Sequence, residues 1–108
     1  MAESIQVHRV PRQGYDCTFY CGALGADAAI HHEGHEPNGY FLEGLLRYLD
    51  PDLAEAVELD SEAGMFSVFG KRRQMKKVQR LLSPYLHDGD RVTTALRAAE
   101  AENFQFDD

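Results

Sequence analysis

The period of the hydrophobic positions changes several times along the chain. Ile5, Gln6, Val7 and His8 begin an alternation that reaches Val10, the pattern of a half-buried strand, and Pro11 ends it. After the turn Pro11-Arg12-Gln13-Gly14, residues 15–21 place Cys17, Phe19 and Cys21 on one face and Asp16 and Thr18 on the other. The two segments predict a hairpin. Residues 22–38 are broken by Gly22, Gly25, Gly34 and Pro37 and read as loop, with Ala26 to Ile30 open to a strand or one helical turn. Leu42, Leu45, Leu46 and Leu49 then fall at i, i+3, i+4 and i+7, the apolar face of a helix. Asn38 is its expected N-cap, Glu43 sits at its early, dipole-favoured end, and Asp50-Pro51 should stop it.

The second half repeats the logic. Leu53 onward is ambiguous until Ala56-Val57-Glu58-Leu59 alternates. Asp60 to Gly64 reads as a turn, and Met65-Phe66-Ser67-Val68-Phe69 as a strand completing a second hairpin. Phe66 and Val68 share one face of it; Met65, Ser67 and Phe69 share the other. From Lys71 a helix carries Met75, Val78, Leu82 and Tyr85 as its apolar stripe, with Leu81 beside it, and Ser83-Pro84 is expected to disturb its last turn. Asp88-Gly89-Asp90 breaks the chain before a last helix from about Arg91 to Ala101, with Val92, Ala95, Leu96 and Ala99 inward. An acidic tail follows at about 103–108, in which Phe104 and Phe106 are able to dock. The expectation is one α+β domain over residues 1–108: an antiparallel sheet built from two hairpins, with about three helices packed on one face.

Composition supports a folded domain. The 108 residues are 44% hydrophobic and 27% charged, ordinary for a globular chain and too apolar for wholesale disorder. No apolar run approaches the ~20 residues a membrane helix needs. The opening Met1-Ala2-Glu3-Ser4-Ile5 has no basic segment leading into an apolar stretch, so a cytoplasmic location is expected. In that compartment Cys17 and Cys21 should be free thiols.

The formal charge of -7 is unevenly spread. Residues 1–70 sum to -9, residues 71–80 to +6 and residues 81–108 to -4. An acidic body repels a phosphate backbone, which argues against nucleic acid and for a basic partner. The basic segment, Lys71, Arg72, Arg73, Lys76, Lys77 and Arg80, lacks the interleaved aromatics of a base-stacking surface. It leaves one alternative open: a small regulatory or binding domain that contacts an acidic or nucleic-acid partner through the helix at 71–86.

Chemistry is sparse. Cys17, Cys21, His31, His32 and His35 suggest zinc by residue type, but two cysteines four apart on a strand stand ~13 Å from each other. No metal and no cofactor is expected. No phosphate loop, dinucleotide fingerprint, nucleophile elbow or His-Glu-x-x-His sequence occurs, and no nucleophile, base and orienting group come together, so a non-catalytic protein is expected.

The middle of the chain carries a resemblance. Asn38-Gly39-Tyr40 opens a leucine-rich helix, and about twenty residues later comes Asp60, followed by Glu62-Ala63-Gly64-Met65-Phe66, a strand and a helix. In order and spacing, residues 33–86 resemble the immunity protein 51 family of bacterial polymorphic toxin systems. Leu42 stands near a position where members often have Trp, Ser61 replaces a frequent Pro, and the first 30 residues have no counterpart. The resemblance implies a non-catalytic inhibitor that binds and neutralises a cognate toxin domain and so protects the producing cell. Of its motif residues, Asn38, Gly39, Tyr40, Asp60, Glu62, Gly64, Met65 and Phe66, most are expected to serve the fold, with Gly39 and Gly64 as turn devices and Asp60 and Glu62 tying the hairpin loop. Toxin contact is expected instead at Glu33, Glu36, Tyr40, Glu43, Asp50, Asp52 and Glu55, with Tyr40 as aromatic anchor and the carboxylates steering a basic target.

Overall fold

The computed structural model describes residues 5–21 and 25–106. The Gly22 turn signal and the terminal Asp107 and Asp108 lie outside the described residues. The fold is α+β. Among the described residues its four strands are β1 (Gln6–Val10), β2 (Gly14–Tyr20), β3 (Glu58–Leu59) and β4 (Met65–Gly70), all antiparallel, in the spatial order β1-β2-β4-β3. Each expected hairpin is present. The two join through β2 and β4, where Cys17 faces Val68 and Phe19 faces Phe66.

That register decides what the sheet buries. Cys17, Phe19, Phe66 and Val68 are at most 2% exposed, and with Ile5 they form the sheet's half of the core. The helical half comes from α2 (Gly39–Leu49) and α4 (Arg72–Leu86), which pack directly on the strands. Leu42, Leu45 and Leu46 of α2 meet Met75, Val78 and Leu82 of α4 in one cluster. Burying such side chains is worth about 2 kcal/mol each, and this cluster holds the two layers together. Helix α5 (Gly89–Ala101) lies one layer further out, against α1 and α4, and buries Val92, Ala95, Leu96 and Ala99 as its spacing predicts.

Caps fix the helix starts. Asn38 Oδ1 accepts from Phe41 N at 2.8 Å to open α2. Asp50 does the same for α3 (Pro51–Ala56), from Leu53 N at 3.1 Å, and Asp88 for α5, from Arg91 N at 3.1 Å. Asp50-Pro51 thus ends one helix and starts another, because proline suits the first helical turn as well as it breaks an interior one.

The structure differs from the sequence reading at three places. Among the described residues the helices number five, because α1 (Asp27–His32) and α3 form in the stretches left ambiguous. Residues 53–56 belong to α3, so β3 is two residues long. Helix α4 runs through Pro84 to Leu86; Ser83 Oγ donates to the Gln79 carbonyl at 2.6 Å, and the fully buried side chain closing the stripe is Leu86, with Tyr85 only half-buried. The tail rings, which the sequence left able to dock, do so. The Phe106 ring stacks on Phe41 at 5.3 Å and meets His35 edge-on at 5.3 Å, while Phe104 packs against Tyr48. Gly44 makes room for it, since a Cβ there would lie 2.7 Å from Phe106 Cδ1.

Candidate functional site

The two sequence motifs meet in space. The N-terminus of α2 presses on the loop between β3 and β4. Gly39 N donates to the Ala63 carbonyl at 3.2 Å. A Cβ on Gly39 would strike the Glu62 carbonyl oxygen and sit 2.6 Å from that of Met65. Gly39 is required by close approach, not by an unusual backbone angle. Gly64 is different: its Cβ would meet open space and its φ lies outside the left-handed region, so neither reason for glycine holds there. The tie across the loop is made by Ser61, whose N–H donates to Glu43 Oε2 at 2.8 Å and whose Oγ accepts from Ser67 N at 2.9 Å. Phe66 is fully buried, whereas the side chains of Asp60 and Glu62 are exposed.

The seven expected contact residues divide. Glu43 holds the loop. Asp50 caps α3 and lies 3.3 Å from Lys77 Nζ, and the Leu53 N–H, with Lys77 beside it, keeps its carboxyl below the usual carboxylate range. Glu33, at the C-terminal cap of α1, is 12% exposed and 3.5 Å from Arg97 Nε. These three are engaged inside the fold. Glu36, Tyr40, Asp52 and Glu55 are exposed. They do not converge, since Tyr40 opens α2 and Asp52 follows its far end, about 16 Å along the axis at 1.5 Å per residue.

The thiols and His35 are placed for packing. Cys17 is fully buried, its Sγ donates to the Met75 carbonyl at 3.1 Å, and burial pushes its pKa up to about 12. Cys21 is half-buried and pushed by burial to about 11. Both stay protonated at neutral pH, the wrong state for a nucleophile. His35 is not in open loop but against the Phe41 and Phe106 rings; His31 and His32 are exposed. Among the described residues, no group of three or more His, Cys, Asp or Glu is arranged to hold a metal ion. No helix among them is long and apolar enough to cross a membrane. A cleft of about 330 Å³ opens beside the docked tail, lined by Glu33, His35, Leu96, Glu100, Phe104 and Phe106.

Two surfaces remain. One is the outer face of α4, where Lys71, Arg72, Arg73, Lys77 and Arg80 are exposed. The other is the sheet face turned away from the helices. Tyr20, at 73% exposure, is the most exposed large apolar side chain of the described residues. Sequence reasoning passed over it, although the alternation that buries Cys17 and Phe19 turns Tyr20 outward with Asp16 and Thr18. Comparison with known protein families, with curated proteins and with solved structures returns no match for the chain.

Proposed function

We propose that this protein is an immunity protein: a non-catalytic inhibitor, working in the cytoplasm, that binds a cognate toxin domain and protects the cell that makes it. The observation that carries the reading is the contact between the two motifs of the resemblance. Asn38-Gly39 and the loop over 60–66 lie some twenty residues apart in the chain, and Gly39 permits a backbone contact that any side chain would block. A pair of motifs joined by such a contact describes one structural unit, which is what a family signature should be. One buried and one half-buried thiol, both protonated, and a histidine packed among aromatic rings are compatible with a binding protein. The net charge of -7 favours a basic partner and a fast, electrostatically steered encounter.

The test is co-expression with the toxin-like product of the neighbouring gene, scoring host survival and then co-purification. Rescue with a one-to-one complex is expected, and association should slow steeply as salt rises. Loss of both rescue and complex would refute the reading. A salt-insensitive association rate would remove the steering while leaving the inhibition. The exposed basic row of α4 keeps one other reading in play: a binding domain for an acidic or nucleic-acid partner. That reading requires charge reversal at Arg72 and Arg73 to abolish binding.

A further inference from the structure

The open face of the sheet is ordered by its registers into columns. Gln6 and His8 lie on β1, and Asp16, Thr18 and Tyr20 on β2. Met65, Ser67 and Phe69 follow on β4. At the β3 edge Glu58 pairs with Phe69, Asp60 N donates to the Ser67 carbonyl at 2.9 Å, and Glu62 bridges to Met65. Paired residues project to the same side of a sheet, so Glu58, Asp60 and Glu62, at every second position, form a line of carboxylates along one edge. All three are exposed.

Beside that line runs an apolar strip. Met65 and Phe69 are half-buried and Tyr20 is exposed, yet none of the three packs against the core, unlike Val7, Tyr15 or Leu59 on the other face. Four strands at ~4.8 Å spacing make the face about 14 Å wide, the scale of an interface centre. Apolar anchors beside a charged rim are the anatomy of a binding patch.

The rim selects the occupant. Two copies of this chain joined open face to open face would each bring Glu58, Asp60 and Glu62 to the contact, in a protein that already carries -7. A basic surface meets the line with opposite charge. We propose that this open face, centred on Tyr20, Met65 and Phe69, receives the partner, and that the partner is a basic protein whose lysines or arginines pair with Glu58, Asp60 and Glu62. The inference rests on the immunity reading and adds the surface and the partner's chemistry to it.

The experiment measures binding of the toxin-like neighbouring gene product to the full chain and to two sets of variants. Tyr20→Ala should weaken the complex by roughly 30-fold or more, as a central aromatic anchor does. Glu58→Lys with Asp60→Lys should slow association about tenfold or more at low salt, and less at high salt. Asp52→Lys with Glu55→Lys on α3 should leave the affinity within a few-fold. All these positions are exposed, so thermal unfolding should match the parent protein. Protection of Met65 from peroxide in the complex, relative to the free chain, is the independent readout. Unchanged affinity of Tyr20→Ala, with loss in the α3 pair, would overturn the assignment of the face while leaving the immunity role intact. No binding by the parent protein would overturn both. A dimer of this chain that dissociates on Tyr20→Ala would give the face to a second copy and overturn the proposal.

Discussion

Replacing Gly39 by alanine tests the motif contact most directly. The added Cβ meets the carbonyl oxygen of Glu62 and lies 2.6 Å from the Met65 oxygen and 2.9 Å from the Met65 carbonyl carbon. All three atoms are backbone, in a loop tied to α2 itself through Glu43 and to β4 through Ser61, so no side chain can swing away. Relief requires α2 to lift from the loop, which strains the packing of Leu42 and Phe41 beneath it. Overpacking of this kind costs about 1–3 kcal/mol, and a rigid obstacle places it toward the upper end. Alanine's better helix propensity returns at most ~1 kcal/mol. The net loss should be about 2 kcal/mol, a fall of roughly 8 °C or more in Tm for a domain of this size. Gly64→Ala is the matched control in the same contact unit: with open space around the new methyl it should change stability by less than about 0.5 kcal/mol, or raise it slightly through the unfolded chain. Urea unfolding followed by circular dichroism reads both, as a shift of the midpoint at constant slope. A Gly39→Ala protein as stable as its parent, or a Gly64→Ala protein equally damaged, would refute the reasoning.

Three further outcomes follow from the packing. Phe106→Ala removes a ring stacked on Phe41 and His35, and should cost about 2 kcal/mol by thermal unfolding; Gly44→Ala should loosen the same tail by pushing a methyl into that ring. Asp50 has a folded pKa below its unfolded value, so its stabilisation is present above about pH 4 and is lost as pH falls through the lower folded value; Asp50→Asn should flatten that part of the stability–pH curve, measured by urea midpoints from pH 2 to 6. Cys17, with a folded pKa of about 12 against ~8.5 unfolded, stabilises fully below about pH 8.5 and progressively less as pH rises toward 12; at pH 8 a thiol reagent should leave it unlabelled in the folded protein and modify it in urea.

The strands and long helices were legible because each has one uniform period and a polar breaker at each end. Cys17 and Phe19, Leu42 to Leu46 and Val92 to Ala99 went where alternation or a 3.6-residue spacing sent them. Helix α1 was not legible, since six residues give too few turns to establish a period and its flanks are glycine. It is held by tertiary contact instead: Ala26 N donates to the Leu86 carbonyl at 3.1 Å, and Ile30 sits in the core. The open face was half legible. Alternation separated Phe66 and Val68 from Met65 and Phe69, but both sets are apolar, and only the position of α2 and α4 decides which set is buried. Among the expected contact residues, charge marked Glu43 and Asp50 as surface, whereas the Ser61 N–H that the fold brings close claims Glu43 and the Leu53 N–H at the start of α3 claims Asp50. Capping and loop-tying carboxylates have the same letter code as free ones.

The sheet order has a kinetic consequence. The two central strands, β2 and β4, are separated by residues 21–64, an excursion whose ends are closed by Cys21 N on the Gly64 carbonyl at 3.0 Å. Closing that excursion costs roughly 2 kcal/mol more chain entropy than closing the five-residue loop from Asp60 to Gly64. Each hairpin therefore forms before the two are joined, and the joining step is slow. Until then β2 and β4 each present an unpaired, apolar edge able to pair with another half-folded chain. The surplus of negative charge acts on that interval as well as on the finished protein: repulsion between chains keeps such edges apart while the centre of the sheet is still open.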